Sequence, residues 1–131
     1  MIPPRSTSTS AATGDQPFDL QVEQSGHEAV VRLSGSCTMV VAGQLGECLL
    51  RLASESVRVI IIDMSGLDFI ESTGLGGIVA GYLRLRRNQG EMRIVAPAPA
   101  IRQLLELTRL TQLFSVHANI ETARAAPSVR R

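Results

Sequence analysis

Hydroxyl and carboxyl side chains that could take part in chemistry are concentrated in one segment, residues 63–81. Ser72 and Thr73 stand together in its middle, directly after Glu71. The segment joins an apolar, β-branched run to a helical pattern, and ligand sites of open α/β sheets lie at such strand ends. A helix start also offers unpaired N–H groups and a partial positive charge, which favour an anion. The pattern therefore indicates either anion binding near Ser72 or a simple helix N-cap formed by one of the hydroxyls.

Two other sets of reactive side chains are less informative. Asp63 and Asp68 flank the same predicted loop and could form a catalytic carboxylate pair, but no nucleophile and base accompany them. An Asp at the end of a strand more often accepts hydrogen bonds within a turn. His27 and His117 lie in different predicted elements with no second ligand at metal spacing, so we predict no metal site.

Glycine is frequent where the helix is predicted. Gly76, Gly77 and Gly81 lie inside the helical pattern, and each costs about 1 kcal/mol relative to alanine. Such a cost is expected where another backbone comes close, either an internal strand or a partner protein. We therefore expect a partner to bind the loop 67–73 and the exposed face of this helix, from Gly74 onward.

The composition excludes several classes of function. The chain has 131 residues with 13 basic and 12 acidic side chains, and its net charge of +1 gives no strong field to attract nucleic acid or a membrane surface. Every basic residue is Arg, and the absence of Lys excludes Schiff-base catalysis and a lysine-dependent phosphate loop. Aromatic residues make up 3%, too few for recognition of single-stranded nucleic acid by stacking. No apolar run reaches the roughly 18 residues that span a bilayer, so we expect a cytoplasmic protein without membrane insertion.

A basic cluster, Arg84, Arg86 and Arg87, follows late in the same predicted helix. Cations near a helix C-terminus offset its dipole, and that role would account for all three residues. The alternative is a contact for an acidic partner.

Hydrophobic periodicity predicts the elements that must position these residues. Residues 1–16 and 126–131 lack a hydrophobic pattern and are predicted to be flexible, which leaves one domain over residues 17–125. Strands alternate with helices, so we expect an α/β fold with a mostly parallel sheet, an antiparallel N-terminal edge hairpin and about four helices. The predicted strands are 18–23, 29–33, 57–63, 91–96 and 113–117. The predicted helices are 39–53, 74–88, a helix that bears Ile101, Leu104 and Leu105, and 121–125. Residues 65–70 are predicted to form a loop.

The stretch from Ile60 to Gly76, Ile-Ile-Ile-Asp-Met-Ser-Gly-Leu-Asp-Phe-Ile-Glu-Ser-Thr-Gly-Leu-Gly, resembles the characteristic motif of STAS domains. Within that family it is most similar to the bacterial anti-sigma factor antagonists. The resemblance covers roughly residues 18–125 and includes the order of the strands. It implies a regulatory binding module that is not an enzyme and needs no cofactor.

The resemblance also implies a phosphorylation switch. Ser72 matches the serine that a partner phosphorylates in this family, and that partner is both an anti-sigma factor and a serine kinase. The unphosphorylated antagonist binds the kinase and frees a sigma factor, phosphorylation ends the binding, and a serine phosphatase resets the switch. The residues expected to bind the partner are Thr38, Asp68, Glu71, Thr73, Gly74, Leu75 and Gly76.

Two positions depart from the family pattern. Glu71 stands where the family usually has Asp, and Thr38 stands where an Asp lies near the acceptor. Thr38 could cap the following helix but cannot supply a negative charge, so we expect slower phosphorylation.

Two further functions remain open on the sequence alone. The chain could be a STAS scaffold subunit of a signalling complex or of a lipid-transport ATPase, with the same helix face binding a partner and no switch at Ser72. A small nucleotide-binding or hydrolytic protein is the other alternative, which the missing Lys and the lack of a catalytic set of residues disfavour.

Overall fold

A β-branched run, Val59-Ile-Ile-Ile, begins the central strand of a five-stranded sheet. The computed structural model describes residues 17–127, so the predicted arm 1–16 and residues 128–131 of the predicted tail lie outside the described residues. The elements in chain order are β1 (Asp19–Ser25), β2 (Glu28–Cys37), α1 (Ala42–Ala53), β3 (Val59–Ile70), α2 (Ser72–Arg87), β4 (Glu91–Val95), α3 (Pro99–Leu107), a 3₁₀ turn (Leu110–Gln112), β5 (Ser115–His117) and α4 (Ile120–Ala125).

The sheet has the strand order β1-β2-β3-β4-β5. Strand β1 pairs with β2 in antiparallel orientation, and every later neighbour is parallel. The predicted α/β fold, with an antiparallel edge hairpin on a mostly parallel sheet, is confirmed.

Helices cover both faces of the sheet. Ile60 and Ile62 point into the larger apolar cluster beneath α1, α2 and α3, whereas Ile61 belongs to a smaller cluster that includes Ala123 of α4. All three isoleucines are fully buried, and Val59 is half-buried. Burial of both alternating sets of side chains is expected for a central parallel strand with helices on both faces.

Helices α1 and α2 lie side by side in close contact, and glycine makes this possible. A Cβ atom on Gly77 would lie 3.2 Å from the Cα of Gly46 in α1, and one on Gly81 would lie 2.7 Å from the Cβ of Leu49. At the far end of the pair, the Asn88 side chain donates a hydrogen bond of 2.9 Å to the carbonyl of Ala53. The backbone that approaches these glycines is therefore that of α1, neither a strand nor a partner.

The predicted loop over residues 65–70 is wrong, because this stretch continues strand β3. It pairs with residues 34–37 of β2, and β3 contains one extra residue at each of two register shifts. The extra residues disturb the alternation of apolar and polar side chains, which is why the sequence pattern looks like a loop. Strand β5 is shorter than predicted because the 3₁₀ turn precedes it.

Within residues 17–127, no helix combines the length and the apolar character needed to cross a membrane.

Candidate functional site at the start of helix α2

A two-stranded extension of the sheet carries the start of α2. Strand β4 ends with Val95 opposite Asp63, but β3 continues to Ile70 with only β2 beside it. Asp63 stabilises the first register shift of β3, since its carboxylate accepts a hydrogen bond of 3.0 Å from the N–H of Ser65. The N–H of Glu71 then donates to the carbonyl of Cys37 over 2.9 Å and fixes the point where the helix begins.

Ser72 and Thr73 are the first two residues of α2, and both are exposed. Glu71 is the N-cap residue, but no side chain forms a capping hydrogen bond at this helix start. Its carbonyl instead accepts from Gly74 N–H at 2.9 Å. Within the described chain, neither hydroxyl has a hydrogen-bond partner. The capping interpretation is therefore wrong for both residues.

A buried thiol lies under the helix start. Burial, with a smaller contribution from the Glu71 charge, raises the pKa of the Cys37 thiol to about 11. A Cβ atom on Gly74 would lie 2.9 Å from the sulfur and 2.8 Å from Cγ1 of Ile70. Gly74 is therefore required for the packing of the helix start onto the strand extension, and the thiol remains protonated at neutral pH.

Thr38 follows β2 directly and is buried beside this packing. Among the residues that the structure describes, its hydroxyl has no hydrogen-bond partner. The predicted cap on the following helix is wrong, since the N-cap of α1 is Val41 and no side chain bonds there. An unpaired buried hydroxyl costs roughly 1–3 kcal/mol.

The predicted partner-binding residues divide into two groups. Asp68, Thr73 and Gly76 are exposed and Glu71 is half-buried, and a Cβ atom on Gly76 would meet nothing within 4 Å. The remaining three are buried in the unbound conformation, and their contact with a partner stays a prediction: Thr38, Gly74 and Leu75.

The exposed side chains of Met39 and Val40 are the feature that sequence reasoning missed. Met39 is 65% exposed and Val40 is 71% exposed in the turn after β2, and Phe69 near the end of β3 is also exposed. The helical spacing from Met39 onward suggested part of a helix, yet α1 begins only at Ala42. Large apolar side chains in solvent around one site mark an interaction surface.

The other sequence candidates are engaged in local structure. A second oxygen of Asp63 lies 3.7 Å from Nε of Arg32. His27 Nδ1 lies 2.8 Å from the carbonyl of Ser56, and His117 Nε2 lies 2.8 Å from the Ser115 hydroxyl. Desolvation lowers the pKa of His117. Within residues 17–127 no group of three His, Cys, Asp or Glu side chains could hold a metal ion.

Comparisons of the sequence with known proteins point to one family. The family model of the STAS domain matches residues 19–123. The chain is 30% identical over 108 residues to an anti-sigma F factor antagonist of Paenibacillus polymyxa, and the match covers 78% of this chain and 90% of the relative. An anti-sigma-B factor antagonist of Staphylococcus aureus is 28% identical over 91 residues, with 70% and 84% of the two chains covered.

Solved structures give the same result at the level of fold. A crystal structure of an anti-sigma factor antagonist from Mycobacterium paratuberculosis superposes with a TM-score of 0.74 and 30% identity, over 82% of this chain and 92% of that one. The antagonist SpoIIAA in its unphosphorylated form gives 0.73 at 22% identity, with 83% and 99% covered. Its phosphorylated form, from Bacillus, gives 0.68 at 22% identity, with 81% and 96% covered. The chain therefore belongs to the STAS domain family, in the group of the anti-sigma factor antagonists.

Proposed function

We propose that the chain binds an anti-sigma factor that is also a serine kinase, and so releases a sigma factor. Phosphorylation of Ser72 by that kinase ends the binding, and a serine phosphatase restores it. Binding takes place in the cytoplasm, where the kinase finds ATP. The relatives named for opposing anti-sigma factors F and B support this class of partner.

The observation that carries the proposal is the state of the Ser72 hydroxyl. It is exposed at the first position of α2 and has no hydrogen-bond partner within the described residues. A kinase can therefore reach this hydroxyl without local unfolding. Met39, Val40 and Phe69 provide an apolar surface close by, on which a protein partner can rest.

A phosphate at this position would act on the complex more than on the fold. It adds about −1.5 to −2 charges at pH 7, and a helix start tolerates negative charge. SpoIIAA, which shares the fold, has been solved in a phosphorylated form, so the fold accommodates such a group. An apolar contact surface around the same hydroxyl does not accommodate the phosphate. A free-energy penalty of about 3 kcal/mol weakens binding more than 100-fold.

One observation favours a second candidate, the STAS scaffold without a switch. Thr38 offers a buried neutral hydroxyl where the family has a carboxylate near the acceptor. If the kinase requires that carboxylate, the same surface binds a partner permanently.

Phosphosite mapping distinguishes the two candidates. The wild type, Ser72→Ala and Thr73→Ala are incubated with the kinase partner and ATP and analysed by mass spectrometry. We expect one phosphate on the wild type and on Thr73→Ala, and none on Ser72→Ala. Phosphate on Thr73 alone, or none while the kinase modifies another antagonist, contradicts the switch and favours the scaffold.

A further inference from the structure

The turn after β2 presents the thioether of Met39 to solvent. Met39 is 65% exposed, although the residues on either side of the turn, Thr38 and Val41, are both buried. The carbonyl of Thr38 accepts a hydrogen bond of 3.1 Å from the N–H of Val41, which closes the turn. Because the backbone is anchored on both sides, the Met39 side chain is held outside the core.

The other sulfur atoms of the described chain are protected from solvent. Met64 is fully buried, and Met92 is 2% exposed. Cys37 and Cys48 are buried free thiols, and burial raises the pKa of both. Oxidants attack the thiolate and not the thiol, so these two cysteines should react slowly at neutral pH. In the part of the chain that the structure describes, Met39 is therefore the sulfur most accessible to an oxidant.

Met39 is also close to the proposed phosphorylation site. The N–H of Glu71, the residue before Ser72, donates to the carbonyl of Cys37, two residues before Met39. At about 3.8 Å per residue and about 5 Å across paired backbones, the Cα atoms of Met39 and Ser72 lie within about 17 Å of each other. A standard protein interface covers about 800 Å² on each partner, a patch roughly 30 Å across. A partner centred on Ser72 therefore reaches Met39.

We propose that Met39 is an oxidation site, at which a hydroperoxide converts the thioether to the sulfoxide and so weakens binding of the partner. In this step the O–O bond of the peroxide breaks and a bond forms between the sulfur and one oxygen. The sulfur loses two electrons, and the proton of the transferred hydroxyl goes to the departing hydroxide, which leaves as water. Methionine sulfoxide reductases reverse the change.

Oxidation acts on the contact surface more than on the fold. The sulfoxide is polar, so its oxygen needs a hydrogen-bond partner once the apolar surface of Met39, Val40 and Phe69 is covered. In the free chain the same oxygen lies in water and costs the folded protein little. The modification stands on the exposure of Met39 alone, whereas its effect on binding rests on the proposed function. Oxidation then acts in the same direction as phosphorylation of Ser72.

Peptide mapping tests the modification without the partner. The full chain is incubated with dilute hydrogen peroxide, and the sulfoxide at each methionine is quantified over time by mass spectrometry. We expect Met39 to react at least about tenfold faster than Met64 and Met92, which are buried. In urea, where the chain is unfolded, the three rates should become equal. Equal rates in the folded protein, or oxidation of Cys37 before Met39, would overturn the proposal.

The affinity of the kinase partner tests the consequence. Calorimetry compares the wild type before and after treatment, with the peroxide removed before the partner is added. The oxidised protein should bind at least about tenfold more weakly with an unchanged circular dichroism spectrum, and the reductases should restore the affinity. Met39→Leu keeps an apolar side chain without a thioether, so its affinity should be the same before and after treatment. No loss in the oxidised wild type, or an equal loss in Met39→Leu, contradicts the effect on binding.

The two tests separate this proposal from the proposed function. If the untreated wild type fails to bind the kinase, the proposed function is contradicted, while the oxidation rates still decide whether Met39 is the oxidation site. If it binds, the partner should also slow the oxidation of Met39. Oxidation as fast in the complex as in the free chain would place Met39 outside the contact and overturn the effect on binding.

Discussion

Thr38 and Ser72 illustrate, at the residue scale, what a motif can predict and what it cannot. The motif predicted Ser72 as the acceptor, and the structure exposes its hydroxyl at a helix start. It could not predict that Thr38 is buried, because burial depends on how the ends of β2 and β3 pack together. Nor could it predict that the hydroxyls of Ser72 and Thr73 lack a hydrogen-bond partner within residues 17–127, because side-chain capping depends on an orientation that a motif does not specify.

Thr38→Asp tests the effect of the missing carboxylate. A carboxylate near the acceptor can take up the hydroxyl proton, so we expect several-fold faster phosphorylation of Ser72. Burial of the new carboxylate should lower the free energy of unfolding by about 3–5 kcal/mol. Rates come from phosphate incorporation and stability from urea unfolding.

Thr38→Ser is the matched control, because it keeps a neutral hydroxyl at the same position and should leave the rate unchanged. A rate for Thr38→Asp no faster than that of the control would mean that the carboxylate does not limit phosphorylation.

At the element scale, the glycines of α2 belong to two different environments. The sequence predicted a close backbone approach, and Gly77 and Gly81 do meet α1, whereas Gly76 faces open space. Helical periodicity places residues on a face, but it does not say which neighbouring element that face contacts. The same limit applies to residues 65–70, whose strand conformation depends on pairing with β2 and not on local preference.

Two alanine substitutions test this division. Gly81→Ala places a methyl group 2.7 Å from Leu49 Cβ, so it should lower the free energy of unfolding by about 1–3 kcal/mol. Gly76→Ala adds the same group in open space and should raise that free energy by up to about 1 kcal/mol. Urea unfolding of both variants measures the difference. Equal effects would mean that α1 and α2 are not in close contact at Gly81.

At the scale of the whole molecule, the two-stranded extension of β2 and β3 holds the proposed switch beyond the end of β4. The fold class and the order of strands and helices along the chain could be predicted, because alternation and β-branched runs report them directly. The exposure of Met39 and Val40 could not be predicted, since it depends on where β2 ends and on how the ends of β2 and β3 meet.

Gly76→Arg tests whether the surface beside Ser72 binds the partner. The large side chain projects into open space, so the fold should be retained with a circular dichroism spectrum like that of the wild type. Partner binding should weaken about tenfold or more because the guanidinium occupies the contact surface. Gln24→Arg is the control, because it adds the same side chain at an exposed position at the opposite end of the sheet, and it should bind the partner as the wild type does. If Gly76→Arg binds the partner with unchanged affinity, the partner does not bind at this surface.

The most direct test of the switch is the affinity of the kinase partner for this chain with and without phosphate on Ser72. Isothermal titration calorimetry compares the unmodified protein with protein phosphorylated at Ser72 and verified by mass spectrometry, in the absence of ATP so that the modification stays fixed. The phosphate should weaken binding more than about 100-fold while the circular dichroism spectrum stays unchanged. The reason is that its charge is unfavourable in the apolar contact with the partner but is tolerated by the fold. Equal affinity of the two forms would contradict the switch.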